Sequence, residues 1–350
     1  MRRVGSAALV ALLGSVTLAA HCGRGEPAAP QFPIATIAET RRLAFHTSRA
    51  VGTGSLEEQT ARALDDLLGR EAGARLVRLR VFAVGSARLI EIRRILARHL
   101  SARGAPLPAL SLLGVASLPD SGQLVQMETT VEASIAVDPR GIAFLAGLAS
   151  ASGDHTMGGL ARVARQAGVT TGDVLRVSCF YESADQLNAT RQAVADTFPR
   201  AEVSLVHSYG QSEKPAVECE AIARMTDSTA SGTRYINLAG ERASPYFSRA
   251  ALVAARRVVF SGTVAASYDA AADPAGVLDS IKVAVERLGS SLHDVAMTGN
   301  YWMDGPARER ARLVREPYYG GTVPAATGVY MTSFASRESS LAFEFAIAVP

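Results

Sequence analysis

The sequence predicts an α+β protein in which one small unit is written three times. Three observations carry that expectation. Between Ser244 and Val349 an apolar strand, Arg257-Val258-Val259-Phe260, runs into a Ser261-Gly262 turn and is followed by helix, strand, a long connection and a closing strand. The same outline recurs twice upstream. Gly168-x4-Asp173-Val174 matches Gly289-x4-Asp294-Val295, so a helix stop, a short loop and a strand start fall at one spacing in two places. Leu110 and Glu128 are separated as Ala326 and Glu344 are, and Arg200 and Glu220 are two residues further apart. A period near 100 residues indicates duplicated domains rather than a solenoid.

Taken in order, the first unit (34–135) opens with the short apolar strand Leu43–Thr47. Leu64, Leu67 and Leu68 return at helical steps after Ala61, which predicts a helix over 57–70. Leu76–Val84 alternates, with Arg78 and Arg80 opposite Val77, Leu79 and Val81, and reads as a half-exposed strand. A helix over 88–100 ends before Pro106 and Pro108, and strands over 111–117 and 124–131 flank the turn Pro119-Asp120-Ser121-Gly122.

The second unit (136–228) repeats this, with strands over 141–149, 174–181, 202–207 and 216–223 and helices over 155–167 and 186–198. Met225–Thr233 is a Ser/Thr/Gly linker. The third unit (234–350) has strands over 258–264, 295–303, 323–334 and 341–349. Its helices cover 274–288, with Pro274 at the first position and Gly289 as stop, and 307–314.

Residues 1–21 stand apart. Arg2 and Arg3 precede an apolar run to Ala20, which is short for a membrane span and reads as a secretory signal. Small residues before Cys22 are similar to a bacterial lipoprotein cleavage site and make Cys22 a lipidation candidate, although His21 departs from that pattern. Cleavage of an ordinary signal is the alternative. Residues 22–33 are rich in Pro, Gly and Ala and read as a tether. The protein is therefore expected outside the cytosol, periplasmic or anchored at the cell envelope, meeting a membrane only through a lipid on Cys22. Cys179 and Cys219 lie in apolar alternating stretches and read as buried thiols, with a disulfide permitted by export.

Composition narrows the chemistry. The 350 residues carry a formal net charge of +3, nearly all of the positive charge is arginine, and Lys214 and Lys282 are the only lysines. No basic run with interleaved aromatics is present, which argues against nucleic acid as a partner. Two lysines leave little room for Schiff-base chemistry. His46, His99, His155, His207 and His293 are scattered, no Gly-x-Ser-x-Gly elbow is present, and neither a metal nor another cofactor is expected.

Several motifs together resemble the Rid superfamily (YjgF/RidA type). They are Val217-Glu218-Cys219-Glu220-Ala221-Ile222-Ala223, Pro108-Ala109-Leu110-Ser111 leading to Leu118-Pro119 and Glu128, and Pro245-Tyr246-Phe247-Ser248-Arg249 before Phe260-Ser261-Gly262. The resemblance covers about residues 34–350. It implies three tandem units of chorismate-mutase-like fold joined as a monomeric pseudo-trimer, with function in the clefts between units. It also implies an imine or enamine deaminase, or a related hydrolase, acting on a small carboxylate-bearing molecule that an arginine holds. A guanidinium suits that task because it grips a carboxylate through two parallel hydrogen bonds.

Only the second unit keeps that arginine, as Arg200; Leu110 and Ala326 hold its position elsewhere. The family glutamate matches Glu220, and Glu128 in the first unit, whereas Glu344 is one residue out of phase, with Phe345 at the strict match. The family tyrosine matches Tyr246, and Ser261-Gly262 would line the substrate. The third unit is also similar to the C-terminal half of chorismatases, with Ser336-Arg337 before Glu344. That similarity implies an alternative enzyme in which Glu344 protonates an enolpyruvyl ether and Arg337 binds its carboxylate. In either enzyme the catalytic candidates are Glu344, Glu220 and Tyr246, and the binding candidates are Arg200, Arg337, Ser261 and Gly262. An acid such as Glu344, set between Phe343 and Phe345, is expected to have its pKa raised by desolvation. A non-catalytic protein that binds a small acid is the third reading.

Overall fold

In the computed structural model the described residues are 31–70, 73–210, 214–227, 232–267, 274–335 and 339–350, without the side chains of 266 and 267. The expected signal, residues 22–30 of the tether with Cys22, and Arg337 lie outside them.

The chain opens with β1 (Ala35–Glu39), which the sequence reading did not anticipate. A first block follows: β2 (Leu43–Thr47), α1 (Leu56–Arg70), β3 (Arg75–Val84), α2 (Arg88–Ala102), β4 (Ala109–Val115) and β5 (Val125–Glu132). A second block holds β6 (Ile142–Ser150), α3 (Gly153–Gln166), β7 (Val174–Tyr181), α4 (Gln186–Thr197), β8 (Glu202–His207) and β9 (Val217–Arg224). Two further unanticipated strands, β10 (Thr233–Ile236) and β11 (Ala250–Val253), precede the third block. That block comprises β12 (Arg257–Ser261), β13 (Val264–Ser267), α5 (Pro274–Glu286), β14 (Val295–Trp302), α6 (Gly305–Arg315), β15 (Ala325–Tyr330), β16 (Ser333–Phe334) and β17 (Ser339–Val349). The single strand expected over 323–334 is thus two strands that serve different sheets: β15 pairs with β14 and β16 with β4.

Each block builds a sheet in which the first strand neighbours the last, then the second, then the third: β2-β5-β3-β4, β6-β9-β7-β8 and β12-β17-β14-β15. In every sheet the second and third strands are parallel, joined by a helical crossover, and the remaining pairs are antiparallel. Each second strand also shifts register near its start, at Leu76/Arg78, Val174/Arg176 and Val295/Met297. The sheets exchange edges: β1 extends the third sheet, β10–β11 the second and β16 the first. This lending of strands across blocks protects edges that would otherwise expose unpaired backbone.

Helices cover one face of each sheet. α1 and α2 bury Leu64, Leu67, Ile92 and Leu96 against the first, α3 and α4 bury Leu160, Val163 and Val194 against the second, and α5 and α6 bury Leu278, Ile281 and Ala311 against the third. The uncovered faces need another apolar partner, and they find one another. Phe45, Phe144 and Phe260, from the first strands of the three blocks, meet in one shared layer. Phe82, Phe180, Tyr301, Leu113 and Val206 form a second.

Between these layers lies a buried charged centre. Arg80 of β3 donates to Glu128 (3.0 Å), to Glu220 (2.8 Å) and to Glu344, so one guanidinium serves a carboxylate from each sheet. The register places Glu128 opposite Arg80, Glu220 opposite Ser178 and Glu344 opposite Gly299. Glu344 is therefore in phase with the other two, correcting the offset expected from Phe345.

Only one of the three opposing positions carries an arginine. Ser178 instead donates to Glu128 (2.8 Å), and a Cβ on Gly299 would meet Glu344 Cγ at 2.8 Å. Ser111 donates to Glu344 (2.7 Å) and Thr327 to Glu220, so these carboxylates also reach the third strand of the next block.

Cys179 and Cys219, directly opposite on β7 and β9, form a disulfide. This corrects the expectation of buried thiols: alternation puts both on the helix side of neighbouring strands.

Candidate functional site

A cleft of about 540 Å³ opens between the second and third sheets. Its floor comes from Gly147 of β6, Phe180 of β7 and Glu218 of β9, and its opposite wall from Asn300 and Trp302 of β14, β15 and the α6 arginines. Tyr246, Phe247 and Arg249 close one end.

Glu218 is the titratable group at the centre of this arrangement. It accepts a hydrogen bond from the Gly328 backbone N–H (2.9 Å), which ties it across the gap to β15. Burial pushes its pKa up, and the nearby charges of Glu220 and Glu182 add to this against the Gly328 bond and Arg308, leaving it at about 7. Gly147 makes room for it, since a Cβ there would come within 2.3 Å of Glu218 Oε1. The equivalent positions on the other closing strands are Gln126, opposite Phe82, and Ala342, opposite Tyr301. Gln126 is buried and bonded to Ser204 (2.6 Å). Gly262 packs on Leu110, where a Cβ would lie 2.3 Å from the Leu110 carbonyl oxygen. Those two junctions are filled by packing, and the third holds the cleft.

Three of the cationic groups that line the cleft come from α6. Its N-terminus is fixed by Asp304, whose side chain accepts from the Ala307 N–H (2.7 Å). Arg308, Arg312 and Arg315 recur at helical steps and all line the cleft. Arg315 is 9% exposed, and its hydrogen bond goes to the neutral amide oxygen of Asn300 (3.0 Å). Asn300 is itself held by the Thr327 carbonyl (3.0 Å). Among the described residues no carboxylate pairs with Arg315. A guanidinium so buried without a counter-ion is costly unless an anion joins it.

The residues singled out from sequence divide as follows. Tyr246 lines the cleft, its ring under the Arg312 guanidinium at 4.5 Å. Glu220 and Glu344 belong to the buried centre and are 5% and 1% exposed. Glu344 was expected to have a raised pKa. Burial does push it up, but Arg80, Arg78 and Ser111 outweigh burial and bring it to about 2, so it is a fixed anion and no proton donor. Arg200 is exposed at the turn after α4, away from the cleft. Ser261 is buried with its hydroxyl accepting from the Phe345 N–H (2.9 Å). Tyr246 is thus brought together with neither Arg200 and Glu220 nor Glu344.

The sequence reading passed over Glu218, Arg315 and the α6 stripe. One signal was present: Glu218 and Glu220 alternate with Cys219 and so share a face, and a second acidic residue beside the central one belongs to a different environment. Ala326 of β15 also lines the cleft.

No protein-family model matches the sequence, and no curated protein matches it. Among solved structures, a Rid-family protein of unknown function, YyfB from Yersinia pestis, is similar over 33% of this chain and 98% of its own, with 20% identity and a TM-score of 0.28. A member of the YjgF/YER057c/UK114 family from Mycobacterium tuberculosis covers 34% of this chain and 100% of its own, at 19% identity and a TM-score of 0.25. A YjgF-family protein from Neisseria meningitidis covers 34% and 95%, at 20% identity and 0.25. Each likeness spans about a third of the chain.

No helix of the described residues is long and apolar enough to cross a membrane, and no group of three His, Cys, Asp or Glu among them is placed to hold a metal ion.

Proposed function

We propose that the chain is three fused Rid-type units, a pseudo-trimer, and that its one open junction hydrolyses or deaminates an imine or enamine bearing a carboxylate. The observation that carries the reading is the presence in one cleft of Glu218, poised near neutrality, and the buried Arg315, which no carboxylate of the described residues pairs. Arg315 supplies the carboxylate clamp. Glu218 in its acid form gives a proton to the electron-rich carbon of an enamine, and its carboxylate then takes a proton from the water that attacks the resulting iminium. The same proton passes to the nitrogen of the carbinolamine as its C–N bond breaks and ammonia leaves, and the new carbonyl returns its hydroxyl proton to Glu218. A pKa near the working pH lets one group do both. Tyr246 closes one end of the site over the substrate.

The same reading keeps the protein outside the cytosol. The Cys179–Cys219 disulfide supports that location, because such bonds persist in oxidising compartments.

The test is hydrolysis of enamines generated in situ, followed as ammonia release. The wild-type chain is expected to turn them over with an apparent pKa near 7. Glu218→Gln should lose on the order of 10²-fold or more in rate, and Arg315→Met should raise KM. Turnover unchanged in Glu218→Gln would overturn the assignment. Binding of small carboxylates without turnover would leave a non-catalytic receptor for them.

A further inference from the structure

We infer that the ligand of this cleft carries two anionic groups rather than one, an inference that rests on the reading of the cleft as a carboxylate site. The three arginines of α6 that line the cleft stand at i, i+4 and i+7. On an α-helix these form one stripe about 10 Å long at 1.5 Å per residue. Arg315 occupies the buried end. Arg308 and Arg312 occupy the exposed end and are oriented by aromatic faces: Arg308 lies over Trp302 at 5.7 Å and Arg312 over Tyr246 at 4.5 Å. Glu309 approaches Arg312 at 3.6 Å, but that pair is solvent-exposed and weak.

A lone carboxylate on a small acid would use Arg315 and leave the outer pair without a role. The volume agrees. A space of about 540 Å³ falls in the range that holds drug-sized ligands and far exceeds a three-carbon acid. The site therefore fits a molecule with one carboxylate at Arg315, a planar or apolar body against Trp302 and Tyr330, and a second carboxylate or phosphate between Arg308 and Arg312.

Calorimetry with benzoate, terephthalate and biphenyl-4,4′-dicarboxylate at low salt tests this on the full chain. At least one dianion should bind roughly five- to tenfold tighter than benzoate, with a steeper salt dependence. The double variant Arg308→Gln/Arg312→Gln, altered only at exposed side chains, should erase that preference and leave benzoate affinity within about twofold. Arg315→Met should weaken both classes. Equal affinity for one and two charges, or a preference that survives in the double variant, would overturn the inference while leaving the carboxylate site standing. Failure of benzoate and both dianions to bind the wild-type chain would remove the carboxylate site, and this inference with it.

Discussion

Glu218 and Glu220 leave the same face of β9 two residues apart and enter opposite surroundings. Glu220 joins Arg80 at 2.8 Å inside the charged centre, while Glu218 faces the cleft and, among the described residues, accepts a hydrogen bond from the Gly328 N–H alone. The first helps to hold three sheets together. The second is kept from ionising easily by the same fold.

That difference has a thermodynamic signature. The folded pKa of Glu218, about 7, lies above the ordinary value of an unfolded glutamate. The folded state therefore holds the extra proton, and the group costs stability as pH rises from about 4.5 through 7. Glu218→Gln removes the cost. Against wild type, the variant should gain on the order of 1–3 kcal/mol between pH 5 and pH 8, the lower part of that range allowing for partial solvent access. Urea melts of both chains at the two pH values measure it. A difference between the chains that does not change with pH would refute the shift.

Arg80 is the single cation touching all three central glutamates. Burial works against its charge, yet the carboxylates hold it fully protonated. Arg80→Met would leave three buried anions with only Arg78 and Arg176 nearby, at 3.6 Å from Glu344 and 3.4 Å from Glu128. A loss of about 3–5 kcal/mol is expected. Adding Glu220→Gln to that variant should recover part of it, because one uncompensated charge is removed. Additive losses in the denaturant-melt cycle would show that the two residues do not couple.

The centre also sets the acid limit of the fold. Glu344 has a folded pKa of about 2, below its unfolded value, so its contribution to stability is present above about pH 4.5 and is lost as pH falls toward 2. Glu128 is lowered too: burial raises it, but Arg176, Arg80 and two serine hydroxyls prevail. Denaturant midpoints should therefore fall between pH 4.5 and 2. Glu344→Gln, already weaker at pH 6, should fall less over the same interval. An equal drop in both would assign the acid sensitivity to other groups.

Much of the fold was legible because it is local. Apolar steps at Leu64, Leu67 and Leu68, the stops at Gly168 and Gly289, and Pro274 at a helix start each act through a few neighbours. What escaped was set by contacts between blocks. β1, β11 and β16 are four or five residues long, or only two, and each exists because another block offers an edge. Arg80 read as a surface residue on an alternating strand, since nothing within β3 reveals that its outer face meets two other sheets. The cleft escaped for the same reason. Its carboxylate is on β9 and its guanidiniums are on α6, about a hundred residues apart, and the family pattern directed attention to Arg200 instead. The disulfide shows the converse: both cysteines were read as buried, but their register across β7 and β9 is a pairing fact.

Two glycines distinguish the open junction from a filled one. Ala146–Gly147 and Gly262–Thr263 occupy corresponding interruptions, one within β6 and the other between β12 and β13. At Gly147 the atom nearest an added Cβ is the Glu218 carboxylate oxygen, at the end of a side chain that can turn away, and the Thr327 backbone, with its Cα at 3.1 Å, needs to give by only a few tenths of an ångström. At Gly262 the nearest atoms are the Leu110 carbonyl oxygen and backbone nitrogen, 2.3 and 2.7 Å away, which can yield only if β4 moves. Gly147→Ala should thus cost about 1 kcal/mol or less in stability but cut turnover or ligand affinity at least tenfold. Gly262→Ala should cost about 2–3 kcal/mol by overpacking and leave the affinity of the surviving folded protein within about twofold. Melts and calorimetry on the two variants separate these outcomes. A Gly147→Ala chain that binds as wild type would mean that Glu218 need not hold its observed position.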